Sequence, residues 1–238
     1  MTIDYITITT STKKNIINIG LRKYLISIYQ YVAFALAVTS CTTLIVANSQ
    51  ELMYIVHSSP LRWVITLSPL LMAFYMSHNI ISISRMTAYY CLIIFSILIG
   101  FSLSSVFLVF TGESIIRVLS ISSSTFVVMS FYGYQCKKDL SSITSFLLMG
   151  SIGISIAGIS NILIQSTAIH FISSAAGVVI STLFTAYNTQ KIKELYHHNN
   201  TNKQLSEKLG IYGALTLYMD FINLFVFLLQ ILGIRRND

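Results

Sequence analysis

The 238-residue chain is 54% hydrophobic and only 10% charged, with a mean hydropathy of +0.73. Soluble domains carry about 25% charged residues, so this chain lacks the polar surface to cover a water-exposed globule and reads as an integral membrane protein with one membrane domain. Its net charge of +7 does not point to nucleic acid, because the cations cluster between apolar runs, as topogenic residues do.

A helix needs about 20 apolar residues to cross a hydrocarbon core roughly 30 Å thick. Seven stretches approach that length: Leu25–Val46, Leu61–His78, Ala88–Phe110, Ser114–Tyr134, Ile143–Ile164, Ala168–Tyr187 and Gly210–Leu232. The second and fourth are the weakest, since Arg62 and Ser77 bracket one while Arg117 and the Ser122–Ser124 run interrupt the other. All are expected as helices, because an open strand would leave its backbone unpaired in lipid. The runs are continuously apolar, which also excludes the alternating pattern of a membrane barrel. Residues 1–24 read as a tail with no signal peptide, 25–233 as the transmembrane domain and 234–238 as a short C-terminal tail.

Orientation follows from the cations. Lys13, Lys14, Arg22 and Lys23 precede the first run, Arg85 lies between the second and third, Lys137 and Lys138 between the fourth and fifth, and Lys191, Lys193, Lys203 and Lys208 between the sixth and seventh. All eleven fall on one side if every run spans, while the opposite connections near Glu51, Glu113 and Gln165 hold no Lys or Arg outside the runs. The positive-inside rule then places the N-terminus in the cytoplasm. Arg235 and Arg236 oppose this pattern, so the last run either crosses against a bias set upstream or dips in and returns.

Cys41, Cys91 and Cys136 are isolated, and none of the five histidines belongs to an HExxH motif, so no metal or cofactor is expected. The chain carries no Walker loop, GxGxxG or nucleophile elbow, and nothing in it reads as an enzyme. Glu113 and Arg117 are spaced for a local i,i+4 ion pair, Arg62 for snorkelling, and His197 and His198 for solvation in a polar loop. In QCKKDLSS, Asp139 or Ser141 reads as a helix start.

Asp220 is the residue that points toward function. It is the only charged residue of GIYGALTLYMDFINLFVFLLQIL, Gly210–Leu232. A carboxylate so placed costs at least a few kcal/mol unless it is protonated, paired or wetted, so ions or protons are the first chemistry to consider. Asn223 follows at i+3, where it can share a face with Asp220 on a polar pathway or serve as hydrogen-bonding glue between helices.

The segment ALTLYMDFINLFVFLLQILG, Ala214–Gly233, strongly resembles the last helix of the transmembrane Bax inhibitor motif family. SISRMTA from Ser82, GFSLSSVFLVFTGESI from Gly100, SFYGYQCKKDLSS from Ser130 and LFTAYNTQKIK from Leu183 agree in order, so the likeness runs from the first helix to Gly233. The resemblance implies a seven-transmembrane helix bundle with the last helix near its centre, and a pH-sensitive calcium leak. The compact form looks more like bacterial members of the cytoplasmic membrane. In the family mechanism two aspartates share a proton; Asp220 matches one, but the other position is Asn188. Two carboxylates about 3 Å apart cannot both ionise, whereas an Asn–Asp pair has one titrating group.

Asn188 is nearly isosteric with a protonated carboxylic acid and can donate to Asp220, or it can merely cap the sixth helix before Gln190 and Lys191. The contact requires tilt or a later start of the seventh helix, because Asp220 lies ten residues past Gly210 while Asn188 lies near a membrane boundary. The resemblance also suggests an arginine latch on the aspartates, for which Arg85 is the basic residue available in the second connection. The leading expectation is a slow calcium or cation leak around Asp220, with lipid and calcium as partners. The rivals are a non-conducting regulator that binds membrane proteases or other membrane proteins, and an intramembrane hydrolase, for which the chain has no paired acids.

Overall fold

A computed structural model describes residues 2–58, 61–80, 82–199 and 203–236. These residues form an all-α protein: α1 (Thr2–Ala47), α2 (Gln50–Ser58), α3 (Leu61–Asn79), α4 (Arg85–Leu103), α5 (Val106–Val109), α6 (Gly112–Gln135), α7 (Thr144–Ile164), α8 (Thr167–Asn199) and α9 (Lys203–Leu232). A 3₁₀ turn over Leu140–Ile143 leads into α7. Among the described residues the only β pairing is an isolated bridge between Phe110 and Arg235.

The apolar stretches expected to span are helical over most of their length, but among the described residues six rather than seven helices are long and apolar enough to cross a bilayer. The shortfall is α3, a helix of 19 residues that contains Pro69 and carries Arg62 and His78 near its ends. The expected third span is split: α4 ends at Leu103, a turn at Ser104 and Ser105 intervenes, and α5 follows for four residues. Ser84 starts α4 by accepting from the Thr87 amide, so the helix begins at Arg85 rather than Ala88. Residues 2–24, expected as a tail, continue α1.

The helices are packed around α9. In the crossing window of α9, 56% of residues are buried, against 6–33% in the other five candidates. It packs on α8, α1, α6 and α4, whereas α7 leans on α8 at the periphery. Small residues allow the close crossings that membrane helices need in place of a water-driven hydrophobic force. At Gly133 the backbone of α6 meets the backbone of Ala186 on α8, so that a β-carbon there would collide with the Ala186 carbonyl. Aromatic edges complete the centre, with Phe95 against Tyr218 and Phe126 against Phe221.

The ends of the bundle are tied differently. At one end Tyr24 of α1 meets Tyr196 of α8, and Arg85 reaches Glu207 at the start of α9. At the other, the Thr111 amide donates to the Ile234 carbonyl and the Arg236 amide to the Val109 carbonyl. Thus α9 is one continuous 30-residue helix, about 45 Å long, running from end to end rather than dipping and returning.

Candidate functional site

The site is built by the α8–α9 hairpin. A polar stretch, TQKIKELYHHN, follows the apolar run of α8 and marks where hydropathy falls, but its Lys, Gln, Glu and Leu residues favour helix. Accordingly α8 continues to Asn199, and Asn188 lies 11 residues inside that end. It is therefore not a cap. α9 starts at Lys203, earlier than Gly210, so the two helices overlap over a longer length than expected and bring Asn188 level with Asp220 without a late start of α9.

Asn188 Nδ2 donates to Asp220 Oδ2 at 2.7 Å. Both side chains are buried, Asn188 being 8% and Asp220 7% exposed. Asp220 lies roughly 24 Å along the helix from Gln204 and roughly 18 Å from Leu232, by the 1.5 Å rise per residue. The carboxylate is thus in the middle of the most buried helix, held by an amide that cannot titrate. An ionised carboxylate has lone pairs for several donors, so Asn188 leaves it capacity for a passing cation or a proton.

Two expected members of the site lie elsewhere. Arg85 does not latch onto Asp220; its Nη1 donates to Glu207 Oε2 at 3.0 Å, with Tyr31 Oη at 3.5 Å from Nη2. Glu207 is 13 residues before Asp220 on α9, so Arg85 pins the beginning of that helix, not its middle. Asn223 does not share the buried face with Asp220. It is exposed, and Gln230, also exposed seven residues later, accepts from the Ser174 hydroxyl of α8 at 2.7 Å. Three residues along a helix rotate the side chain by about 60°, enough here to leave the buried contact with Asn188 for an exposed position.

Other expectations met mixed outcomes. Glu113 and Arg117 are both exposed and form no ion pair among the described residues; Glu113 instead occupies the first turn of α6, where the helix dipole favours an acid. Asp139 does start the 3₁₀ turn, its Oδ1 accepting from the Ser141 amide at 2.8 Å, and this bond lowers the carboxyl below the usual range. The three cysteines are free. The side chains of Arg62 and His198 lie outside the described residues.

Two polar constellations beside the site had no signal in the sequence. The Thr39 hydroxyl on α1 lies 2.6 Å from Tyr218 Oη and 3.0 Å from the Ser96 carbonyl, joining α1, α4 and α9 two residues before Asp220. Gln190, two residues after Asn188, clamps the α6–α7 connection: its Oε1 accepts from the Leu140 amide at 2.8 Å and its Nε2 donates to the Lys138 carbonyl at 2.8 Å. A lone Thr or Gln near an apolar run is too common to single out, and only the fold shows what each one faces.

With this geometry in place, a family model described as inhibitor of apoptosis-promoting Bax1 matches residues 21–237. The chain belongs to that family. It is a multi-pass membrane protein, similar at 37% identity to an uncharacterized protein of Rickettsia prowazekii, over 99% of this chain and 100% of the relative. It is also 34% identical to the Escherichia coli inner membrane protein YbhL, over 91% of this chain and 94% of YbhL. An uncharacterized protein of Borreliella burgdorferi is 33% identical over 91% of this chain and 94% of its own length.

Proposed function

We propose that this Bax inhibitor family protein is a slow cation leak, with calcium as its leading substrate, and that the path passes Asp220. The reading rests on one observation: the carboxylate is buried at mid-helix in the central α9 with the Asn188 amide as its hydrogen-bond partner. Burying a charge at that depth is costly, and a stability role alone would be served better by an apolar side chain. Calcium prefers six to eight oxygens, so one carboxylate and one amide suit weak transit rather than storage.

The accompanying topology is seven spans with α3 as the least apolar, the N-terminus in the cytoplasm and the protein in a bacterial inner membrane. The cation distribution and the likeness to YbhL support it. Because only Asp220 titrates in the pair, the leak of this chain responds to pH less steeply than that of a two-carboxylate site.

Purified protein reconstituted into calcium-loaded liposomes tests the proposal. The expected result is a slow efflux that Asp220→Ala abolishes while the circular dichroism spectrum is retained, and that Asn188→Asp makes more steeply pH-dependent. Flux equal in the parent and Asp220→Ala removes Asp220 from the path. No flux above protein-free liposomes favours the non-conducting regulator.

A further inference from the structure

α1 and α6 each pack on α9 but hardly on each other, which leaves a seam down the side of the bundle. Two cavities open along it. One, of about 560 Å³, lies toward the Phe110 end between Leu36, Thr43, Ile115 and Leu119, with Phe221 and Phe225 of α9 behind it. The other, of about 570 Å³, lies toward the Tyr24 end and is walled by Leu25, Ile26 and Tyr29 of α1 and by Phe126, Val127 and Phe131 of α6. Each is within the 300–1,000 Å³ range of ligand pockets. Ile26, Val127 and Phe131 are exposed, so this crevice opens sideways to the surroundings of the bundle.

The charge on the seam is one-sided. Arg22 lines the end of the second cavity, is exposed and forms no ion pair among the described residues. Tyr134, on the opposite wall, carries Lys193 against it: the ammonium donates to the Tyr134 carbonyl at 3.1 Å and lies 5.5 Å from the ring centroid. Two cations on different helices therefore flank the mouth of an apolar crevice. In a membrane, an occupant that is long and apolar at one end and anionic at the other is a phospholipid.

We propose that the α1–α6 seam is a binding site for an anionic phospholipid, with an acyl chain in the crevice and its phosphate between Arg22 and Lys193. Such a lipid fills a gap that the helices leave open and gives Arg22 a partner. Neither Asn188 nor Asp220 lines either cavity, although their neighbours Thr189 and Phe221 do, and occupancy of the seam does not require that the protein conduct.

Native mass spectrometry of delipidated protein in detergent, titrated with phosphatidylglycerol or phosphatidylcholine, tests this. Phosphatidylglycerol should bind more tightly, and Arg22→Gln and Lys193→Gln should each weaken it about fivefold, the worth of one cation near a membrane surface. Phosphatidylcholine binding should hardly change in these variants. Ile26→Trp, which fills the crevice from an exposed position, should weaken both lipids. Equal affinity of the parent for the two lipids overturns the headgroup assignment, as does an equal loss in Arg235→Gln/Arg236→Gln at the opposite end. Unchanged binding in Ile26→Trp overturns the acyl assignment.

Discussion

Replacing Asn188 with leucine isolates the contact at the centre of the protein. The side chains are of similar size, so the main loss is the 2.7 Å bond from Nδ2 to a carboxylate that is 7% exposed. Two magnitudes compete. A hydrogen bond to a charged group contributes about 1.5–3 kcal/mol in proteins generally, whereas interhelical bonds in a membrane protein average about 0.6 and reach about 1.7 kcal/mol, because the unfolded state in lipid also finds partners. Here the acceptor is a buried carboxylate that would lose its amide donor, which places the cost near the top of the membrane range, about 1.5 kcal/mol or on the order of tenfold in the unfolding equilibrium. Reversible unfolding by sodium dodecyl sulfate in mixed micelles, followed by far-ultraviolet circular dichroism, measures it. Packing differences are removed by a double-mutant cycle of Asn188→Leu, Asp220→Leu and the pair. A coupling energy below about 0.3 kcal/mol, within the range of independent sites, would refute the reasoning.

Gly133→Ala should destabilise the same protein by about 1–3 kcal/mol, since the new methyl meets the backbone carbonyl of Ala186, which cannot rotate away. Even the low end of that range matches the roughly 1 kcal/mol gained in helix propensity, so a stabilised variant in the micelle assay would contradict the α6–α8 crossing. Reporters fused at each terminus should lie on opposite sides of the membrane, because α9 runs the full length of the bundle; activity of both in one compartment would sink the seven-span topology. Asp139→Ala should speed hydrogen exchange at the Ser141 amide. The carboxyl of Asp139 is lowered in the folded protein, so its contribution is complete above the usual carboxylate range and is lost as pH falls through that lowered value. Protection of Ser141 that is the same in parent and variant at neutral pH would show that the cap is idle.

Composition and the continuity of the apolar runs together determined that this is a helical membrane protein, because a chain with 10% charged residues cannot cover itself in water, cannot leave backbone unpaired in lipid, and here lacks the alternation of a barrel. Asp220 was legible for the same reason: one carboxylate in 23 residues without another charge is conspicuous against the cost of burying it. Hydropathy could not give the length of α8, since it reports where lipid ends and not where the backbone stops hydrogen-bonding to itself. Tertiary structure decided the rest. The overlap of α8 and α9 turned Asn188 from a possible cap into the partner of Asp220, while the position of α9 among four neighbours sent Asn223 outward and Arg85 to Glu207. Periodicity along one helix fixes relative angles between side chains. Which angle faces a partner depends on how many helices surround it and at what distance, and those are properties of the packed bundle.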